Sequence, residues 1–270
     1  MSAPAGYVFD ASIQCLWDDL AEFPAWEVDR AFNTLLQFLC DDVGAQNVSW
    51  LLISHTRDEF QTKGTDLVVN ASGYLHPPTD QRGCSAQQKA EANKLERVIA
   101  RCVSFPKNWS AVRLADIHEA EWFGSAEFRE HYLDCGLIDA IWCACPVWPH
   151  ADVYLGIYRT GGLIPFSIRE RDRCGYALRQ LRWLYRRLML SHCATANGSM
   201  MTHTERQVLN HLLAGDSEKI IAANLNQSPH TTHDHVKSIY RKFHIRNRAG
   251  LLSTWLSGSP VAHGSHHPRR

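Results

Sequence analysis

Between Ser217 and Phe243 stands the chain's densest group of side chains able to bind a partner: Lys219, His230, Thr231, His233, Asp234, His235, Lys237, Arg241 and Lys242. Ammonium, guanidinium and imidazole groups at this density suit a polyanion and the hydrogen-bonding edges it presents. They do not suit a metal. His233 and His235 are two apart, whereas one helix face needs ligands at i and i+4. A second group, Cys143–Ala144–Cys145 with His150 nearby, has chemistry of another kind. A metal centre draws on about four converging ligands, and alternation along a strand sends both cysteines to one sheet face. They are expected to be packed thiols.

The chain contains no phosphate-cradling GxGxxG or GxxxxGK[ST] and no GxSxG nucleophile elbow. Pairs such as Cys145 with His150, or Asp134 with His131, stand outside any catalytic motif. No catalytic residue, metal or cofactor is therefore assigned. An enzyme carrying a helical appendage is the rival class.

The chain has 270 residues, 45% hydrophobic and 21% charged, with a formal net charge of +0. That length suits two domains of ordinary size, with enough apolar material for real cores. No run approaches the ~20 apolar residues of a membrane helix. The first residues, MSAPAGYVFDASIQ, lack the basic and apolar regions of a signal peptide. A cytoplasmic protein is expected. Its 9 cysteines, an odd number in apolar periodic surroundings, point to reduced thiols rather than a disulfide framework. The charge is unevenly spread. From Met201 onward Arg206, Lys219, Lys237, Arg241, Lys242, Arg246, Arg248, Arg269 and Arg270 outweigh Glu205, Asp216, Glu218 and Asp234. A polyanionic partner is expected for that part alone.

The elements that must position these groups divide at CATANGSM, Cys193 to Met200, a small polar stretch with an Asn-Gly pair. We expect a first domain over residues 1–191, which the resemblances below make a sensing or dimerisation domain, a linker over 192–200, a helical domain over 201–257 and a flexible tail over 258–270. In the first domain, FPAWEVDRAFNTLLQFLCDDVGA repeats apolar residues at helical spacing, and NVSWLLISH reads as a strand. Helices are expected over Ser85–Val103 and over Ser125–Ile138, the latter stopped by Gly136. DAIWCACPVW and ADVYLGIYR read as successive strands turning near Pro149–His150. One long helix, Ser167 to His192, closes the domain. Its Cys174, Leu178, Leu181, Tyr185 and Leu188 follow a 4-3-4-3 seam, suited equally to the domain's own sheet and to a second subunit. Helices around a small antiparallel sheet, without βαβ alternation, make an α+β class.

In the second domain Thr202 and Glu205 form a capping box, and Gly215 ends the helix they start. Ser217 caps a second helix with Ile220, Ile221 and Leu225 facing inward. Asn226–Gln227–Ser228 is a short turn. Ser228 caps a third helix with Pro229 at its first position, where the missing N–H is harmless. Val236, Ile239 and Phe243 form its apolar stripe, while His233, Asp234, Lys237 and Arg241 lie opposite. Arg248 to Trp255 makes a fourth helix. Two helices joined by a tight turn, the second offering donors on its outer face, form a helix-turn-helix in an all-α, four-helix domain.

Thr202, Glu205, Arg206, Val208, Leu209, Leu213, Gly215, Ser217, Lys219, Ile221, Ala222, Leu225, Ser228, Thr231, His235, Ile239, Lys242, Arg248 and Leu251 stand in the register of the LuxR-type helix-turn-helix domain, which residues Met201 to Trp255 resemble without a gap. The resemblance implies a transcription regulator that binds double-stranded DNA as a homodimer. It places His233, Asp234 and Lys237 at the base-reading positions and Lys219, Thr231 and Lys242 at phosphates. Two departures stand out. Thr232 replaces the usual valine and puts a hydroxyl near the core, and His233 replaces a basic residue.

For the first domain, a receiver domain is excluded: Asp41–Asp42 follow a helix, and strands do not alternate with helices. The acyl-homoserine-lactone domain of quorum-sensing receptors has a broadly similar layout, but its Asp-Pro pair is missing, which leaves that reading as the alternative. The run Phe128, Gly136–Leu137, Pro146–Val147, Leu155–Gly156–Ile157, Pro165–Phe166–Ser167 and Glu170–Arg171–Asp172 is similar to the GAF-like or PAS-like domains found on LuxR-type regulators. Such a domain implies a small-molecule pocket between sheet and helices. Its candidate lining is Trp109, Trp122, Phe123, Tyr132, Trp142 and Tyr154; core packing is the competing use of those rings.

Overall fold

The computed structural model describes residues 10–56, 66–76, 109–148, 151–162, 164–192 and 200–258. Two helices lead: α1 (Ala11–Glu22), capped by the Asp10 carboxylate, and α2 (Val28–Val43). Helix α2 buries Phe32, Leu35, Leu36, Leu39 and Cys40, the periodicity its sequence shows, and ends at Gly44 with φ 61°. Strands β1 (Asn47–Thr56), β2 (Asp66–Tyr74) and β3 (Ser110–Arg113) follow. A short helix α3 (Leu114–Ile117), a 3-10 turn (Ala120–Gly124) and α4 (Ala126–His131) lead into β4 (Leu137–Trp148) and β5 (Ala151–Thr160). Helices α5 (Ile168–Arg179) and α6 (Arg182–His192) complete the domain.

The strands form one antiparallel five-stranded sheet in the order β2-β1-β5-β4-β3. Strands β4 and β5 are buried on both faces, which is why they read as nearly unbroken apolar runs. Alternation sorts their side chains. Ile141, Cys143, Cys145, Val147, Val153, Leu155 and Ile157 face a core shared with α1, α2, α5 and α6. Ala140, Trp142, Ala144, Tyr154 and Tyr158 face a second, aromatic core with Phe128 and Tyr132. Cys143 and Cys145 do share a face, and both are buried. Burial pushes the Cys145 and Cys174 thiols up to about 12, and that of Cys40 to about 11, so they stay protonated and inert.

Two expectations need correction. The long helix is two helices, broken at Gln180 and Leu181. No Gly or Pro marks the break. The Tyr185 hydroxyl donates to the Leu178 carbonyl at 3.1 Å, and Leu181 N–H turns back to the same carbonyl at 3.1 Å. The seam residues Cys174, Leu178, Leu181, Tyr185 and Leu188 all pack into the domain's own core. The helix expected over Ser125–Ile138 stops at His131. A 3-10 turn (Leu133–Cys135) and Gly136, at φ 73°, reverse the chain, so Leu137 already belongs to β4. The helix expected over Ser85–Val103, the turn at Pro149–His150, residues 193–199 of the linker and residues 259–270 of the tail lie outside the described residues.

Candidate nucleic-acid interface and the aromatic face

Four helices make up residues 203–257: α7 (His203–Ala214), α8 (Glu218–Asn224), α9 (Pro229–Lys242) and α10 (Arg248–Ser257). Each start has a side-chain cap that satisfies an otherwise orphaned N–H. The Thr202 hydroxyl accepts from Glu205 N–H at 3.2 Å while the Glu205 carboxylate accepts from Thr202 N–H at 2.8 Å. Ser217, Ser228 and Asn247 cap α8, α9 and α10. The tight turn between α8 and α9 places Asn226 in the left-handed region at φ 51°, where asparagine is among the least strained non-glycine residues. Val208, Leu209, Leu212, Ile221, Val236, Ile239, Phe243, Leu251 and Trp255 close a common core. Thr232 is fully buried within the same domain, and its hydroxyl finds Gln227 Oε1 at 3.3 Å.

This packing leaves one side of α9 open. Lys219, Thr231, His233, Asp234, Lys237 and Arg241 are exposed on α8 and α9. His233 Nδ1 lies 2.9 Å from Glu218 Oε2, and His230 Nδ1 lies 3.3 Å from Asp234 Oδ2. Lys242 behaves differently from the rest. Its Nζ donates to Glu205 Oε2 at 2.6 Å and to the Met200 carbonyl at 2.8 Å. Glu205 also accepts from the Ser238 hydroxyl at 2.7 Å. Burial pushes the Glu205 carboxyl up, but the bonds from Lys242, the Thr202 backbone and Ser238 outweigh it and hold it at about 2. A carboxylate on the first helix of the domain thus anchors the C-terminal end of α9. Arg248, another residue whose role the sequence conceals, donates to the carbonyl of Asp216 at 2.9 Å and to that of Leu212. It clamps the C-terminal end of α7, where a cation is favoured.

The helical domain packs on the first domain. Asp29 of α2 accepts from Arg206 of α7 and lies 3.3 Å from His192 Nε2. The Trp148 indole donates to the Gly258 carbonyl at 3.1 Å, and Leu190 belongs to the helical domain's core.

Five of the six candidate pocket residues gather on the aromatic face of the sheet. Trp122 stands 5.4 Å from Phe123 and 5.8 Å from Tyr132, ring to ring, while Trp142 and Tyr154 are buried on the strands beneath. Trp109 is not among them. It packs on the opposite side, over Gly175 of α5, where an added Cβ would come within 2.5 Å of its ring. There it lines a cleft of about 580 Å³ with Val112, Arg171, Tyr176 and Arg179. The aromatic face also holds Phe128 and Tyr158, which the candidate set omits. Tyr158 is legible in hindsight, since it lies four residues from Tyr154 on the same strand face. Its hydroxyl pairs with Ser49 at 2.7 Å. The Trp142 indole N–H is buried with no hydrogen-bond partner among the described residues.

Among the described residues no group of three His, Cys, Asp or Glu side chains could hold a metal ion, and no helix is long and apolar enough to cross a membrane.

Residues 199–254 match the model of the family described as bacterial regulatory proteins, luxR family, so this segment carries a helix-turn-helix domain of that type. No curated protein matches the chain. Among solved structures, SdiA in complex with octanoyl-rac-glycerol is 16% identical, with a TM-score of 0.47 over 95% of this chain and 97% of that one. SdiA from Escherichia coli is 14% identical, with a TM-score of 0.43 over 92% and 97%. The N-acylhomoserine lactone dependent LuxR family factor CepR2 from Burkholderia cenocepacia is 16% identical, with a TM-score of 0.42 over 62% and 87%.

Proposed function

We propose that the chain is a cytoplasmic transcription regulator, not an enzyme. Helix α9 enters the major groove of double-stranded DNA as one half of a homodimer. His233, Asp234 and Lys237 face the bases, while Lys219, Thr231, Arg241 and Lys242 face phosphates. The observation that carries this reading is the division of α9. One side is buried through Thr232, Val236 and Ile239, and the other is exposed and studded with donors, in a segment that matches a luxR-family model. Lys242 contributes to a phosphate site only by sharing its ammonium with Glu205.

The first domain is a GAF/PAS-like unit that senses a small molecule or holds the dimer. The unpartnered Trp142 indole N–H among tyrosines and phenylalanine supports a ligand that is largely apolar and carries one acceptor. An acyl-homoserine-lactone-like signal is the alternative of that chemistry, though the chain has no Asp-Pro pair. Ligand binding at the sheet would bias the seam at Asp29 and Trp148 and so the placement of the DNA-binding heads.

The test is selection of the full chain on a randomised double-stranded DNA pool. Enrichment of a site with two symmetric halves, lost in Lys237→Ala while circular dichroism is unchanged, is the expected result. An unselective pool with no affinity above background overturns the reading. Mass spectrometry of compounds released by denaturing the purified chain separates a sensing role from a purely dimerising one.

A further inference from the structure

We propose that Glu218, on the bracing helix α8, is a positioning residue that sets what His233 reads; this rests on the DNA-binding reading above. His233 sits on the exposed side of α9, and its Nδ1 lies 2.9 Å from Glu218 Oε2. An ionised carboxylate only accepts, so the contact is a hydrogen bond only when Nδ1 carries the proton. In a neutral imidazole the other nitrogen, Nε2, is then left as an acceptor. Nε2 has no partner among the described residues, and the side chain is about half exposed.

The major groove presents two kinds of partner. Adenine and cytosine offer an exocyclic amino group, whereas guanine offers two acceptors. A lysine or arginine in this place can only donate and selects guanine. His233 held by Glu218 does the reverse: it accepts from the amino group of adenine or cytosine. The pair thus converts a position that usually donates into one that accepts.

The neighbouring charges are consistent with a defined pair. On α9, His230 lies three residues before and Lys237 four residues after, and His230 is engaged with Asp234 at 3.3 Å. On α8, Lys219 follows Glu218. Burial pushes the Tyr240 hydroxyl up against the opposing pull of Arg248, and the charge of Glu218 adds a smaller push in the same direction as burial. Because the pair joins α8 to α9, it fixes the ring relative to the bracing helix as well as to its own.

The experiment is selection from a randomised double-stranded DNA pool with the full chain, its His233→Ala form and its Glu218→Ala form. The position that His233→Ala renders indifferent is the one His233 reads. There the unaltered chain is expected to favour adenine or cytosine by about fivefold, the worth of one hydrogen bond. Glu218→Ala is expected to abolish that preference while every other position is retained. The proposal is overturned if no position depends on His233, if guanine is favoured there, or if Glu218→Ala leaves the position unchanged. A Glu218→Ala form that weakens all positions together also overturns it, since that is a structural role. Absence of any selected sequence from the unaltered chain instead sinks the DNA-binding reading and this one with it.

Discussion

The two domains treat charge in opposite ways. The first takes it inward. Arg159 is buried, donating to the Ile164 carbonyl at 2.8 Å, to Glu170 at 2.6 Å and to the Val43 carbonyl, with the Phe166 ring 4.1 Å from its guanidinium carbon. Beside it Asp139 accepts from Phe166 N–H at 2.7 Å. Burial raises the Asp139 carboxyl further than these bonds and the nearby Arg113 and Arg159 lower it. These groups staple the chain between β5 and α5 onto the end of the sheet. The helical domain spreads most of its charge outward, as histidine–carboxylate pairs and as cations on α8 and α9 that have no ion pair among the described residues. A domain that hides its polar groups is built to hold a shape around its core. One that displays them is built to meet a charged surface. Glu205 is the exception in the helical domain, and its burial marks it as structural.

The sharpest break of that contrast is at Arg159. Arg159→Ala leaves the Glu170 Oε1 oxygen and the Ile164 and Val43 carbonyls without the donor that Arg159 supplies and is expected to cost about 3–5 kcal/mol in urea unfolding. Arg241→Ala, an equal truncation on the exposed side of α9, is expected to stay within about 0.5 kcal/mol. Equal losses at the two sites would erase the distinction.

Glu205 comes next. Its folded carboxyl is held at about 2, below the ordinary value near ~4.3 for an unfolded chain. Its stabilisation is therefore complete above that ordinary value and is lost as pH falls from there through about 2. The contribution is on the order of 2 kcal/mol. Glu205→Gln is expected to flatten the acid limb of the stability curve of the helical domain, followed by Trp255 fluorescence. An unchanged acid limb would show that Lys242 does not anchor on it.

A smaller effect is expected at the seam. Asp29 is half exposed, so Asp29→Asn costs under about 1 kcal/mol of total stability. Its signature is faster proteolytic cleavage between the domains. Burial raises the Asp29 carboxyl, but the bonds and charges of His192 and Arg206 outweigh it and lower it overall. The contact is thus retained in the neutral range and released as pH falls below the carboxylate range. Cleavage that is indifferent to Asp29→Asn would mean that the seam is held by its other contacts, among them those of Trp148 and Leu190.

The smallest effect is at Thr232. Among the described residues its buried hydroxyl has only the 3.3 Å bond to Gln227. Thr232→Val is expected to be neutral or to stabilise by about 0.5–1 kcal/mol, read as a shift in Tm.

The same contrast explains what the sequence discloses. The helical domain is local: caps at Thr202, Ser217 and Ser228, the stop at Gly215 and the stripe Val236, Ile239 and Phe243 each lie within a few residues of what they control. The luxR-type register made them recognisable. Its hidden parts are the long-range ones. Glu205 meets Lys242 across 37 residues, and Arg248 meets the end of α7 across 36. The first domain is long-range throughout. Strand β2 carries a bulge between its partners Leu52 and Ile53, and the sequence interrupts it with Asn70, Ser72 and Gly73, so no alternation shows. Strand β3 has four residues, too few for a pattern. Trp109 parts company with the other candidate aromatics because the sheet lies between them, and only topology reveals that.

The central claim is that the open side of α9 binds DNA. Its most direct test is fluorescence anisotropy of the full chain with the duplex recovered by selection, titrated across salt concentrations, for the unaltered chain and Lys237→Ala. Affinity is expected to fall steeply with salt, with a logarithmic slope of several. Lys237→Ala is expected to weaken binding by about tenfold or more with the fold intact. Affinity and salt slope that are both unchanged in Lys237→Ala would contradict it.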